Sequence, residues 1–412
     1  MRGADSGRGA GDYEWRNLRA RLGIMAIGEV TQVSPAYRGQ DYTEGYLTQP
    51  ALMANIDWKS LSFVGTLNAE AYTLRRGELT PGIYGEGYAD RRHPHTLLHE
   101  AMLSWRVPGL NASGFSATIS AGKGFAPYGT DDPMMRPFVK YPVNHHHSQV
   151  LERAQVTAAV GYARGARDVT IEYGVFNGDE PTDPFGNPTL SRLTDSRALR
   201  VTLRPRSDVE LQASGAYITS PDIIQGGAAD HRLLSGSARW QGTLSRGING
   251  YAFAEFARNK ELIPGNDGFV YETALVEGLA STSRFSIAAR FERTERPEHE
   301  RLLDPFRTPV GHIDFQLLGI TRWMTTTLNV GGPSISVPAI NLRLVPFVEV
   351  ARAVPSAVVR PTVFEPGLFY GADRLWSYSA GLRVHFGSMR SRMGRYGAAL
   401  PRVTAAHPAS HH

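Results

Sequence analysis

The sequence predicts an all-β protein, a single transmembrane antiparallel β-barrel of about sixteen strands (fourteen to eighteen remain open), with short turns at one rim and long loops at the other. Three observations carry this. No run of eighteen or more apolar residues occurs in the 412, so no helix is available to cross a bilayer and only a barrel is left as a spanning structure. In Leu375–Phe386, Trp376, Tyr378, Ala380, Leu382, Val384 and Phe386 alternate with Leu375, Ser377, Ser379, Gly381, Arg383 and His385. Successive strand side chains point to opposite faces, so one face is apolar with aromatics at both ends, suited to lipid, and the other is small, polar and basic, suited to water. The same alternation then recurs along the chain, with short and long links in turn.

Residues 1–14 read as a disordered segment without the apolar core of a signal peptide, so Met1 is expected to begin a processed or truncated chain or to be a misplaced start. The barrel is expected over 15–386. Leu18, Ala20, Leu22, Ile24 and Ala26 oppose Arg19 and Arg21; a loop at Ser34–Thr48 leads to strands at Leu52–Trp58 and Leu61–Ala71, joined by a tight turn at Lys59–Ser60. Glu70 falls on the inner face of the second. After a long loop at Arg75–Pro94 come Leu97–Val107, with Glu100 and Arg106 inward, and a strand at Phe115–Ala121. The loop Gly122–Ser148 follows, then Val150–Tyr162 with Arg153 inward and Val169–Val175 with Asp168 and Glu172 inward.

Beyond a loop at Asn177–Thr194, Arg200 and Arg204 face inward from Leu199–Leu203, and Val209–Tyr217 follows. Further strands are expected at His231–Gln241, Ile248–Arg258, Phe269–Leu279, Arg284–Arg293 (Arg284 and Arg290 inward), His312–Trp323 and Asn341–Ala351 (Arg343 inward). Phe269–Leu279 is the weakest, because Tyr271, Glu272, Val276 and Glu277 mix the faces. The polar, basic tail 387–412 reads as a periplasmic extension. No repeat of 20–50 residues suggests a propeller or solenoid.

Composition excludes some functions. The chain has no cysteine, which removes thiol chemistry, cysteine metal sites and disulfides. Net charge is +5, but only four of the 44 basic residues are lysine and the basic groups are dispersed, so no nucleic-acid partner is expected. A mean hydropathy of −0.27 is what strands half facing lipid and half facing water average to.

Charges are costly against lipid, so Arg19, Arg21, Glu70, Glu100, Arg106, Arg153, Glu172, Arg200, Arg284, Arg290, Arg343 and Arg383 are expected to line the lumen. As a set they would form a charged wall; one by one, most are expected to pair across strands. Near-balance of the two signs implies a weak anion preference. In the long loop, Asp131, Asp132, Arg136, Lys140, His145, His146 and His147 are candidate constriction residues. The acidic and histidine members, with Glu152, suit a divalent cation chemically, but three adjacent histidines cannot converge on one ion from an extended chain. A proline-braced loop packed on the barrel wall is the favoured reading, with no metal and no cofactor. His93, His95, His99 and Glu100 do not have the spacing of a zinc-protease helix, and no nucleophile-elbow motif occurs.

The aromatic-terminated strand ending at Phe386 and the long loop Gly122–Ser148 after the fifth strand together resemble Gram-negative outer-membrane porins of the general or phosphate-selective type. The resemblance is one of pattern over nearly the whole chain. It implies an outer-membrane location, lipid and small hydrophilic solutes or anions as partners, passage through a water-filled lumen narrowed by the loop, delivery by the outer-membrane assembly machinery, and a trimer as many porins form. The 26 residues after Phe386 depart from a pattern that ends at the terminal aromatic. The alternatives are a barrel enzyme of phospholipase or protease type and a closed structural or adhesion barrel; no enzymatic activity is expected.

Overall fold

The structure, a computed structural model, describes residues 12–35, 41–74, 95–110, 113–130, 133–142, 149–181, 183–221, 229–263, 266–297, 320–359, 365–387 and 392–396. Its strands are β1 (Asp12–Trp15), β2 (Leu18–Ser34), β3 (Tyr42–Trp58), β4 (Leu61–Asn68), β5 (Leu98–Arg106), β6 (Phe115–Gly124), β7 (Arg153–Arg164), β8 (Arg167–Phe176) and β9 (Ser196–Arg206). They continue with β10 (Val209–Ile218), β11 (Asp230–Ser245), β12 (Ile248–Ile263), β13 (Asn266–Ser281), β14 (Ser286–Pro297), β15 (Ile320–Gly331), β16 (Ile335–Val337), β17 (Leu342–Val359) and β18 (Leu375–Gly387). Each long strand pairs antiparallel with its sequence neighbours, β15 pairs with β17, and β18 closes the ring on β2 from Trp376↔Ser34 to Gly387↔Gly23. The short β1 and β16 are hairpin additions to β2 and β17, which leaves a closed barrel of sixteen strands.

Closure satisfies every strand edge, as a hydrocarbon surrounding demands. The outer face carries large apolar side chains in the open: Leu103, Ile119, Val160, Ile171, Val276 and Ile287 are each about half exposed or more. Rings flank this band. Phe115 and Tyr162 meet at 4.8 Å between centroids at the short-turn rim, and Trp376 and Tyr378 stack at 6.1 Å at the other. An apolar band on the outside of a closed barrel, bounded by aromatics, is a lipid-facing surface. Among the described residues no helix is long and apolar enough to cross a membrane.

The expected alternation is observed with five corrections. The segment Ser34–Thr48 is mostly strand: β3 starts at Tyr42 and passes a bulge at Gln49, whose φ of 51° flips the parity of the residues before it. An irregular register of two half-strands hides one long strand from a periodicity reading. β4 ends at Asn68, so Glu70 lies in a helical turn, Glu70–Thr73, instead of on the wall. Arg284 sits in the exposed turn before β14, where Thr282 Oγ1 accepts its amide, so it is not a lumen residue. The expected strand His312–Trp323 is β15, Ile320–Gly331; positions 312–319 lie outside the described residues. Asp12, Tyr13 and Glu14, expected in the disordered segment, belong to β1.

Two-residue turns join the strands at the rim holding Lys59–Ser60, 165–166, 207–208 and 246–247, with positive φ at Lys59, Gly165 and Gly247. By the usual asymmetry of such barrels this rim is periplasmic and the long-loop rim extracellular.

Candidate functional site

The lumen is where the sequence places its charge, and the structure fills it with two segments of the same chain. The first is the loop between β6 and β7, of which 125–130, 133–142 and 149–152 are described. Gly129 takes a φ of 67° and prolines stand at 127, 133, 137 and 142, which favour a bent, non-helical path. Outside a sheet ladder, its backbone groups need side-chain partners, and the wall supplies them. Gln155 Nε2 donates to Phe125 O (2.7 Å), Gln212 Nε2 donates to Gly129 O (2.6 Å), and Ser214 Oγ accepts from Gly129 N (2.9 Å). Glu349 accepts both Val139 N (2.8 Å) and Lys140 N (2.7 Å), while Arg290 donates to Lys140 O (2.8 Å) and Arg383 to Pro137 O. Gln49 Nε2 donates to Tyr141 Oη at 3.4 Å. From β7 through β10, β14, β17 and β18 to β3, these contacts carry the loop around the inner wall.

Its apolar side chains make the core. Phe138 packs with Tyr251, Phe253, Leu275, Leu279 and Ala288; Tyr128 packs with Phe176, Ala198, Ala216 and Leu233. This is why β13 mixes its faces: Tyr271, Leu275 and Leu279 point inward against loop or wall, as a water-lined strand would not. Arg136 lies over the Phe253 ring at 4.7 Å with Glu255 at 3.4 Å, and Arg290 lies over the Phe138 ring at 4.2 Å.

The wall charges are paired across strands. Arg200 forks onto Glu172 with its Nε at 2.6 Å and Nη2 at 2.8 Å, from directly opposed positions of β8 and β9. Arg290 bonds Glu277 at 2.8 Å, Arg204 bonds Asp168 at 2.9 Å and Arg153 bonds Glu180 at 2.9 Å. Arg19 and Arg21 are weaker partners of Glu14 (3.6 Å) and Asp57 (3.8 Å) at the periplasmic rim, where Arg106 and Arg343 also point inward.

The second segment is the described part of the tail, Arg392–Tyr396, which turns back into the lumen instead of extending from the barrel. Tyr396 Oη donates to Glu100 Oε1 (2.8 Å) and accepts from Phe125 N (3.0 Å). Arg395 bonds Thr202 and Gln212 and lies 3.5 Å from both Glu172 and Glu210; Arg392 bonds Glu210 at 2.6 Å. Arg200 donates to Gly394 O (2.7 Å), and Met393 joins an apolar cluster with Met25, Met53, Phe125 and Tyr141. Glu100 and Arg200 thus meet the tail, a partner that strand periodicity does not reveal.

With both segments in place the lumen is tight: Arg136, Arg153, Arg200 and Arg290 are each exposed by 2% or less.

A third group stands at the extracellular end. Glu70 accepts Gln49 N (3.0 Å) at the β3 bulge and lies 2.8 Å from His95 Nδ1; Glu152 lies 2.7 Å from His99 Nδ1 and accepts Thr96 N (2.9 Å). Lys123 Nζ donates to Thr96 Oγ1 at 2.7 Å. Burial pushes the Glu152 carboxyl up, but its hydrogen bond to His99 and the charges of His99, His95 and Lys123 outweigh burial and hold it well below the usual carboxylate range. Asp131, Asp132, His93, His145, His146 and His147 lie outside the described residues.

No protein-family model matches the chain, and no curated protein does. Among solved structures it is similar to OprB of Pseudomonas putida, at 13% identity and a TM-score of 0.52 over 90% of this chain and 94% of that one. OmpT of Vibrio cholerae, an outer-membrane protein, aligns at 10% identity and a TM-score of 0.48 over 91% and 99%. The outer-membrane channel DcaP of Acinetobacter baumannii aligns at 7% and 0.49 over 92% and 100%. At these identities the OprB likeness speaks to fold. Together with ring closure and the lipid-facing band, it makes the chain an outer-membrane β-barrel of porin fold, located in a Gram-negative outer membrane.

Proposed function

We propose that the protein is a passive channel for small hydrophilic solutes or ions, narrowed by the β6–β7 loop and without catalytic chemistry. The observation that carries this reading is the loop's course around the lumen, with Glu349 and Arg290 gripping the same short stretch of its backbone. A barrel closed for purely structural reasons needs no wall of cross-strand ion pairs, whereas a channel uses such charges to hold water and set a field along its axis. Arginine and carboxylate nearly balance there, which supports a weak anion preference in keeping with the chain's net charge of +5.

The test is single-channel recording of the purified, detergent-folded protein in planar bilayers, with the reversal potential measured under a salt gradient. Discrete ohmic steps reversing slightly to the anion side are expected. Silence from a folded barrel, even when its lumen segments are loosened by mutation, contradicts the reading; lipid or peptide turnover by the same preparation would replace it with a barrel enzyme.

A further inference from the structure

We propose that the segment Arg392–Tyr396 is an internal plug: it lies in the lumen with Arg392 toward the periplasmic rim, closes the path beside the β6–β7 loop, and opens the channel when it withdraws. The proposal rests on the channel reading above. Strand β18 delivers the chain to the short-turn rim at Gly387, and only a few residues later Arg392 bonds Glu210, close to the periplasmic start of β10. From there the segment climbs to Tyr396, whose hydroxyl meets Glu100 near the opposite end of β5. It therefore runs along the solute path.

Its fit is specific. Met393, Arg395 and Tyr396 keep 0%, 2% and 3% exposure, so the segment is packed, not draped. Gly394 has a φ of 68°, a conformation that favours glycine, and a Cβ there would stand 2.9 Å from Phe125 Cβ. On the wall, a Cβ at Gly124 would stand 2.3 Å from Tyr396 Oη. Glycine on both sides permits the close approach.

The attachment is also of a reversible kind. Two guanidiniums face an acidic pair, Glu172 and Glu210; once the segment leaves, the pair keeps only its wall partners, Arg200 bonded to Glu172 and Arg239 opposite Glu210 on β11. Withdrawal would thus widen the path and take two positive charges out of this side of the lumen in one movement. The plug sets how often the channel is open and which ion it favours.

The experiment uses the full chain carrying Arg392→Glu and Arg395→Glu, which leaves every wall residue unchanged and places like charges beside Glu172 and Glu210. Against rare, brief openings of the unmodified protein, the variant is expected to stay open for most of the record, roughly a tenfold or larger change in open fraction, as removal of attraction and addition of repulsion between buried charges implies. Its reversal potential should move toward the cation side. Gly394→Ala, which changes no charge, should raise the open fraction without that second shift. In parallel, Met393→Cys supplies one thiol in a chain without cysteine, and a membrane-impermeant maleimide should label it slowly in the folded barrel and rapidly once both arginines are reversed.

Equal open fractions in all forms, with the thiol introduced by Met393→Cys labelled at the rate of the unfolded chain, overturn the plug and leave the channel standing. Silence from every form, each shown folded by heat-modifiable gel mobility, removes the channel and the plug with it.

Discussion

Glu152 has the clearest acid–base consequence of any residue here. A carboxyl held below its ordinary value, about 4.3 for a glutamate in an unfolded chain, stabilises the folded state above that value for as long as the groups that hold it stay charged, and on the acid side loses the contribution only as pH falls through the lower, folded one. The Glu152 to His99 contact should therefore persist at pH 4 and fail in stronger acid. Glu152→Gln keeps the shape and removes the charge; it should lower barrel stability at neutral pH by about 1–3 kcal/mol and flatten the loss of stability below pH 4. Thermal unfolding followed by gel mobility between pH 7 and pH 2 reads both. The sequence marks His95, His99 and Glu100 as close in the chain, but gives no sign that Glu70 and Glu152 are the carboxylates the two rings meet. Those contacts span 25 and 53 positions, and alternation says nothing about loop geometry.

At the scale of the strand, which face a side chain takes decides what a charge costs. Ile171 and Thr170 are neighbours on β8; the first faces lipid and the second the lumen. Ile171→Arg should reduce barrel stability by about 2–4 kcal/mol, the range for arginine near a bilayer midplane, and shrink the folded fraction on detergent refolding. A folded fraction equal to that of the unmodified protein would mean that this face is not in lipid. The strands that periodicity located best, β8, β9 and β18, are those whose inner faces are polar. β13 is obscured because Leu275 and Leu279 pack on Phe138 from a loop 137 and 141 positions away, differences taken from the chain numbering. β3 is obscured by the bulge at Gln49, and Glu70 is taken for a wall residue because β4 ends at Asn68, three residues sooner than the alternation that runs to Ala71.

For the whole molecule, the barrel was legible because lipid on one side and polar groups on the other impose a period of two over most of the chain. What fills the barrel was legible only in part. The position of the β6–β7 loop, its length and its prolines point to a constriction, and Arg136, Lys140, Arg290 and Arg383 do meet there. The tail's return into the lumen was not legible, because a short polar and basic stretch reads as an extension until its acidic partners, spread over β5, β8 and β10, are brought together by ring closure.

On the channel and plug proposed above, the loop and the tail divide the work of the lumen: the loop would fix the width of the open path, and the tail how often it is open. Glu349 is the loop's most economical anchor, since one carboxylate holds two consecutive amides and also accepts Asn329 Nδ2 at 2.8 Å. Glu349→Ala should cost about 3 kcal/mol of barrel stability, from lost hydrogen bonds to a charged acceptor, and loosen the loop's hold on β17. The most direct measurement is the unit conductance of Glu349→Ala beside that of the unmodified protein, both folded and both recorded at the same salt concentration. A channel narrowed by this loop gives larger and noisier unit steps in the variant; steps of identical size, or none from either protein, contradict the account.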